Sequence, residues 1–544
     1  MSNHESHHQT HVLVVGAGPA GLATAISAAR HGAQVLVVER HRTTSIHPRA
    51  SGLSTRTMEI FRSWGVGDAV RAASSKVVPR AAFGTTLDDP EMTENPLGFP
   101  LPREALTVSP TFPACCAQDH LEPILLAAAR RAGVEVRFDT ELTDLAVDDA
   151  GAWARVVDRS TGSTSTVTSR FVVGADGPRS RVRAALGIDT TPLGGIGRHV
   201  QMLFRADLSA AIGDRRHALY SLTCGEATGL IIAFGEDAGT DRWGYARPCP
   251  TDADLPADDA RWTALLRTAT GIPDLEPDLL GTAVFDLDAE LATASRAGAA
   301  FLVGDAAHRM TPVNAVGLNT AVQDGHGLGW KLAWAARGDA GEALLASYVA
   351  ERRPVGERNA RRSARPGETD PSDGVVGDLG TRYASAVIAG AGAGLVDPAD
   401  LAAAPGERAP HVWTTVDGRR RSTLDLWDSR LTLVTADATW RDTAGVLGVA
   451  APEFHDPDGR LARAYRLAGG GAVLVRPDGY VAWRHDAAVT DPVAALRDAV
   501  AVALGRPVDD VGRQLTPRYA SWTVGSASSS APVPERVTSP VSIT

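Results

Sequence analysis

The sequence predicts an α/β fold: a domain built on a βαβ unit, an antiparallel β-sheet inserted into it, and a separate α/β module behind. Three observations predict it. Near the N-terminus, Val12-Leu13-Val14-Val15, a Gly-rich turn, an Ala-rich stretch to about His31 and Val35-Leu36-Val37-Val38 read as strand, helix and strand. From about 190 to 290 the pattern changes to short strand-like runs such as Gly229 to Phe234 and Trp243 to Arg247. Phe301-Leu302-Val303 then returns as a buried strand before an Ala/Leu/Trp helix from about Thr320 to Ala336.

In chain order, residues 1–10 read as a disordered, His-rich tail, with His4, His7, His8 and His11 solvated and no metal site expected. Residues 11–190 form the first part of the βαβ-based domain. They include a helix over 120–132 and strands at Val134 to Phe138, Ala154 to Val157 and Phe171 to Val173. Residues 191–290 form the inserted sheet, and 291–365 the second part of the domain. Residues 366–408, rich in Gly, Pro, Asp and Ala, read as a linker. Residues 409–515 form the last module, with strands at Leu431 to Thr435, Ala472 to Val475 and Tyr480 to Trp483. The Ser/Pro/Val-rich segment 516–544 reads as a disordered tail.

Composition excludes several classes. Of 544 residues, 44% are hydrophobic and 22% charged, which excludes a fibrous or wholly disordered chain. A net charge of −10 gives no basic field for nucleic acid or an anionic membrane. No apolar run reaches the length of a membrane span and no signal peptide is read at the N-terminus. The four cysteines, Cys115, Cys116, Cys224 and Cys249, form no CxxC and no disulfide framework, so a cytoplasmic, reduced protein is expected.

Three motifs carry chemistry. Gly16-Ala17-Gly18-Pro19-Ala20-Gly21 lies between strand and helix. Gly16 permits the tight turn, Gly18 lets backbone approach a diphosphate, and Gly21 lets the helix pack on the sheet. Glu39 ends the second strand, where an acid bonds a ribose hydroxyl. The second motif is Gly174-Ala175-Asp176-Gly177-Pro178, a strand-ending turn with Ser180 placed to cap the next helix. The third is Gly304-Asp305-Ala306-Ala307-His308, followed by Pro312, Gly317 and Asn319. Its loop feeds a helix N-terminus, which stabilises negative charge.

In this order and spacing, the motifs over residues 11–365 resemble the class A, single-component FAD-dependent aromatic hydroxylases of the para-hydroxybenzoate hydroxylase type. The three-domain hydroxylases of bacterial aromatic polyketides are the closer likeness, on Pro405 to His411, Ser422 to Leu426 and Val475 to Arg484. The resemblance implies a Rossmann-like FAD-binding domain of the glutathione-reductase type, an inserted substrate-binding antiparallel β-sheet and a C-terminal thioredoxin-like domain. That last domain lacks CxxC, which implies a structural or dimer-contact role in a monomer or homodimer.

The resemblance also implies site roles. Gly16, Gly18 and Gly21 lie against the FAD diphosphate and Glu39 on the adenosine ribose, with Ala20 and Arg40 as further FAD-binding residues. Arg49 lies near a moving isoalloxazine, Gln118 on the ribityl chain, and Asp176 near both FAD and the NAD(P)H approach. Asp305 holds the ribityl hydroxyls; Pro312, Gly317, Leu318 and Asn319 border the flavin pyrimidine and the oxygen-reacting carbon. Arg49, Pro312, Asn314 and Tyr220 are the candidate catalytic residues. Family members usually carry Gly-Gly where this chain has Asn314-Ala315, so side chains are expected to narrow the space beside the flavin or to bond the substrate.

Tyr220, Trp243 and Tyr245 are expected to wall that substrate, with Tyr220 placed to help deprotonate a phenol. Trp330, Lys331 and Trp334 are read as packing, Cys115 and Cys116 likewise, His308 as a loop anchor, and Glu351-Arg352-Arg353 as a solvated helix end. The implied reaction is NAD(P)H- and O2-consuming hydroxylation of a polycyclic phenol or quinone through a flavin C4a-hydroperoxide. Baeyer–Villiger oxidation and a phenol hydroxylase of aromatic catabolism are the alternatives. A halogenase is disfavoured because no Trp-x-Trp-x-Ile-Pro segment occurs. A scaffold with an inactive flavin remains the non-enzymatic alternative.

Overall fold

The computed structural model describes residues 6–235, 242–365, 374–427, 429–467, 469–487 and 489–511. Strand β1 (Ser6–Val15) leads through the Gly-rich turn into α1 (Pro19–Arg30) and β2 (Val35–Val38). Then come α2 (Thr55–Ser63), β3 (Val78–Gly84), α3 (Gln118–Arg131), β4 (Glu135–Arg137), the hairpin β5 (Thr140–Val147) and β6 (Ala152–Asp158), and β7 (Thr164–Gly174). The inserted region holds β8 (Thr190–Arg205), β9 (His217–Leu222), β10 (Gly229–Ala233), β11 (Arg242–Pro248), α4 (Asp259–Thr270) and β12 (Asp278–Ala292). The chain returns as β13 (Ala300–Leu302), α5 (Gly317–Ala336) and α6 (Glu342–Ser363). It ends in β14 (Thr432–Thr435), α7 (Ala438–Leu447), β15 (Ala472–Val475), β16 (Val481–His485) and α8 (Pro492–Leu504).

Five strands pair in parallel in the order β4-β2-β1-β7-β13, with β6 and β5 added antiparallel beside β7. Their inner positions are Val, Leu and Phe, as a doubly covered parallel sheet requires. The order reverses at β1, so a crevice opens at the carboxyl ends of β1, β2 and β7. Helices α1 and α5 pack backbone to backbone on one face. A Cβ on Gly325 would lie 2.6 Å from Ala20 O, and one on Gly329 2.6 Å from Thr24 O. Trp330 and Trp334, edge to face at 5.0 Å, fill the core beside them.

The second sheet has eight strands in the order His308–Arg309, β12, β8, β11, β10, β9, β3 and Thr93–Pro96. Helix α4 covers one face, where Trp262, Leu265 and Leu266 join Val200, Met202, Phe204, Tyr220 and Tyr245 in a core. The C-terminal module is a three-stranded antiparallel sheet, β14-β15-β16, with α7 and α8. No helix among the described residues is long and apolar enough to cross a membrane.

Several sequence expectations need correction. Ser6 to Thr10 are not a tail: they extend β1 and pair in register with Ser165 to Ser169. Backbone hydrogen bonds build that extension, so its polar side chains gave no sign of it; Met1 to Glu5 lie outside the described residues. The inserted sheet is not confined to 191–290, because β3 and Thr93–Pro96 supply its far edge. The described part of the expected linker, 374–408, is packed: Tyr383, Val387 and Ile388 are buried in the main core. The tail expected at 516–544 lies outside the described residues.

Candidate active site

A cavity of about 580 Å³ opens at the carboxyl edge of the parallel sheet, lined by all three segments 15–18, 38–49 and 175–181. The Gly-rich turn shapes it as the sequence requires. Gly16 sits at φ +108°, and a Cβ there would meet Ala175 O at 2.3 Å; a Cβ on Gly21 would meet Gly16 O at 1.9 Å. Around Gly18 there is open space for 4 Å, so this is the residue that lets a ligand reach backbone. Helix α1 has no side-chain cap, which leaves its N-terminal N–H groups for an anion. Ala20 is buried beside Gly304 and does not line the cavity.

The Glu39 carboxylate accepts from Ala17 N at 2.8 Å, His41 N at 3.0 Å and the His41 ring at 2.5 Å. It therefore ties the end of β2 to the Gly-rich turn, and a carboxylate with about four lone-pair sites keeps one for a ligand hydroxyl. Arg40 is exposed at the cavity wall. Gln118, at the start of α3, donates through Nε2 to Glu122 at 2.7 Å. Glu122 also accepts from Ser45 N at 2.6 Å, so one buried carboxyl fastens Gln118 to the loop that carries Arg49. Burial pushes the Glu122 carboxyl up, against the pull of those bonds. The Arg49 guanidinium is exposed on the cavity and donates to no acceptor among the described residues.

Asp176 accepts from Ser180 Oγ at 2.5 Å, Arg181 N at 2.7 Å and Val182 N at 3.2 Å. Its carboxylate is spent on capping the next helix, so what faces the cavity is the turn it shapes. Arg183 donates to Pro178 O at 2.7 Å and Ala306 O at 3.1 Å, joining the second motif to the third. There Asp305 stands exposed in a 3₁₀ turn after β13, with no hydrogen-bond donor to its carboxylate among the described residues. Surrounding protein pushes its carboxyl up; His308, Arg309 and Arg49 offset this only in part. Pro312 is exposed, and Gly317 and Leu318 open α5 without a side-chain cap. Asn319 is fully engaged: Nδ2 donates to Ala315 O and Gly52 O, and Oδ1 accepts from Ser54 N. Its side chain thus locks the loop.

The chain from residue 9 to 363 matches the family model described as an FAD binding domain, and 402–507 match that of the aromatic-ring hydroxylase C-terminal region. The chain belongs to the FAD-binding aromatic-ring hydroxylases. It is an FAD-dependent monooxygenase with NAD(P)H and O2 as co-substrates. The hydroxylase is 37% identical over 540 residues to tetracenomycin B2 monooxygenase-dioxygenase of Streptomyces olivaceus, covering 91% of this chain and 98% of that protein. It is 39% identical to aklavinone 12-hydroxylase of Streptomyces peucetius, over 78% of this chain and 91% of that one. The crystal structure of aklavinone-11 hydroxylase with FAD and aklavinone superposes with a TM-score of 0.82 at 32% identity, covering 92% and 99% of the two chains.

The residues present fit FAD. The open space over Gly18, the uncapped α1 and the unpartnered Arg49 and Asp305 are what an anionic, hydroxyl-bearing ligand needs. In the loop before α5, Asn314 and Ala315 sit at φ 62° and 49°, the left-handed region that favours glycine. Their bulk is met by glycines opposite. A Cβ on Gly98 would lie 3.5 Å from Asn314 Cβ, and one on Gly52 3.2 Å from Ala315 Cβ.

Tyr220 is not a candidate base. It is fully buried in β9; its hydroxyl donates to Arg215 O and accepts from His217 N at 3.0 Å. Tyr245 likewise donates to Ala227 O, and Trp243 to Ala206 O. Strand alternation sends these rings to the α4 side, and half-buried Leu219, Leu230, Ile232, Leu203 and Gln201 line the other face. Cys115 and Cys116 are buried, and burial pushes both thiols up to about 12. Glu351 and Arg352 are not a solvated helix end: both are buried in mid-helix within an ion network. Glu122 and Asp324 escaped the sequence reading, and Arg352 was misread, because a lone acid or Arg carries no local signal of its partner.

Proposed function

We propose that this monooxygenase hydroxylates a polycyclic aromatic polyketide, a phenol or quinone, in the cytoplasm. The full-length likeness to tetracenomycin and aklavinone hydroxylases supports the substrate class. The observation that carries the reading in this chain is the pair of charges without a hydrogen bond, Arg49 and Asp305, at a cavity where Glu39, Gln118, Glu122 and Asp176 are hydrogen-bonded. FAD, reduced by NAD(P)H, supplies the oxygen-activating chemistry when bound.

The chain's own groups do the rest. Backbone at Gly18 and the α1 N-terminus hold the diphosphate, and the spare lone pair of Glu39 holds the ribose. Asp305 accepts from the ribityl hydroxyls, and Gln118 steadies the same chain from the opposite wall. The free N–H groups of Gly317, Leu318 and Asn319 stabilise negative charge that develops at the flavin pyrimidine. Arg49 supplies a positive charge at the mouth. The face of Leu219, Leu230 and Ile232 positions the aromatic ring and excludes water.

The test is anaerobic mixing of the purified holoenzyme with NADPH, with flavin bleaching followed in the visible. An aromatic polyketide quinone is compared with a monocyclic nitrocatechol, because a 4-methyl-5-nitrocatechol 5-monooxygenase of Burkholderia is 35% identical over 91% of this chain. Acceleration by the polycyclic ligand, with a product one oxygen atom heavier once air is admitted, is the expected result. Acceleration by the catechol alone would overturn the substrate class.

A further inference from the structure

The C-terminal module lies away from the cavity, yet a continuous buried chain of polar contacts joins it to the turn that carries Asp305. The chain begins at Asp324 on α5, which is 1% exposed. A single carboxylate oxygen of Asp324, Oδ2, accepts from Gly304 N at 3.2 Å and from His308 Nε2 at 2.5 Å. Those two groups are the two ends of the 304–308 turn. His308 is boxed from behind, because a Cβ on Gly356 of α6 would lie 2.7 Å from its ring. The other oxygen, Oδ1, accepts from Arg352 Nε at 2.8 Å. Arg352 passes the connection on: it donates to Thr320 O at 3.3 Å and to the Tyr383 hydroxyl at 2.9 Å. The Tyr383 ring stacks on Tyr480 of the C-terminal module at 4.1 Å. The neighbouring Glu351 is gripped by Arg476 of that module at 2.6 and 2.8 Å.

We propose that Asp324, Arg352 and Tyr383 are positioning residues, through which the C-terminal module fixes the turn that presents Asp305. None of the three lines the cavity. Tyr383 acts through Arg352 and Arg352 through Asp324, and Asp324 holds both ends of the turn that carries Asp305. The module therefore does more than cover the core: it adds a buried side-chain grip to a five-residue turn whose flanks are held by the backbone bonds Val303 N to Gly174 O and Ala292 N to Ala307 O. A turn held by one shared oxygen is sensitive to the placement of that oxygen, and Arg352 sets it. The inference rests on the reading of Asp305 as the acceptor for the ribityl hydroxyls.

The test measures FAD release from the diluted holoenzyme by recovery of flavin fluorescence, together with the visible spectrum of the bound flavin. Four variants are compared. Asp305→Asn tests the underlying reading. Asp324→Asn and Tyr383→Phe test the relay. Tyr465→Phe is the control, since its buried hydroxyl also makes one bond, to Pro410 O at 2.9 Å, but lies off the relay. We expect Asp305→Asn and Asp324→Asn to weaken FAD binding by about tenfold or more, and Tyr383→Phe by roughly fivefold, as for one or two lost hydrogen bonds. Asp324→Asn is also expected to shift the flavin absorption, and Tyr465→Phe to leave affinity and spectrum unchanged. Should Asp324→Asn not fold, the Tyr383→Phe and Tyr465→Phe pair decides. Wild-type FAD release in Asp324→Asn and Tyr383→Phe, with loss in Asp305→Asn, overturns the relay alone. Equal weakening in Tyr465→Phe also overturns it. Wild-type release in Asp305→Asn removes the reading beneath it.

Discussion

Where the C-terminal module meets α2 and α6, Arg408, Arg476, Glu59, Glu351 and Lys331 are all buried and all paired. At the cleft, the side chains of Arg49 and Asp305 are exposed and make no hydrogen bond with the described protein. Both regions are rich in charge, and burial separates their uses. In the seam, a charge without its partner would be prohibitively costly, so every ion is matched and the matches hold two modules in one register. In the cleft, water tolerates a lone charge until a ligand replaces it, so the unmatched groups mark where binding happens.

The largest effect should come from breaking the seam. Arg476→Met leaves the Glu351 and Asp478 carboxylates facing each other without their shared guanidinium. It should lower stability by about 3–5 kcal/mol in urea unfolding. An unchanged midpoint would remove the distinction between the two regions.

Acid should attack the same place. Burial disfavours the ionised Glu351 and Glu59, but Arg476 with Lys331, and Arg408 with Arg56, outweigh it and hold both carboxyls down at about 2 against an ordinary 4.5. Their contribution is whole above the unfolded value and drains as pH falls from about 4.5 towards about 2. Stability measured across that window should fall steeply in the wild type and less steeply in Arg476→Met.

Tyr220→Phe sharpens the comparison within the inserted sheet. It removes the hydroxyl's bonds to Arg215 O and His217 N, which still bond each other at 3.0 Å, so it should cost about 1 kcal/mol while turnover per folded molecule stays at the wild-type value. A selective loss of turnover would restore Tyr220 to the chemistry. Ala315→Gly should raise thermal stability by about 1 kcal/mol, because relief of the left-handed strain exceeds the added freedom of the unfolded chain. The smallest change is expected at the cleft itself. Asp305 is exposed, so Asp305→Asn should leave the melting temperature of the FAD-free protein unchanged, even as FAD binding weakens.

Much of the cleft was legible because its parts are local. Gly16, Gly18 and Gly21 declare a turn by the conformations and contacts that only glycine allows, and Glu39 and Asp305 each end a recognisable apolar strand. The aromatic wall was misread for a reason equally physical. A strand of period two names two faces but does not say which one meets a helix, and α4, some forty residues from Tyr220 in sequence, took the face that holds Tyr220 and Tyr245. Ser6 to Thr10 were misread because a backbone ladder forms without apolar side chains.

The sequence by itself determined the βαβ start, the three motifs and their order, and the interruption by a sheet, and the resemblance those motifs carry implied the class of cofactor and reaction. The turns and strands follow from covalent spacing and backbone preference, which act within a few residues. Only the tertiary structure decided that Glu351 and Arg352 lie in a buried network, that one oxygen of Asp324 holds both ends of the Asp305 turn, and that the C-terminal module reaches that turn through Tyr383. A charge carries no record of its partner in its own neighbourhood; a partner 125 residues away, as Arg476 is from Glu351, is supplied by packing alone.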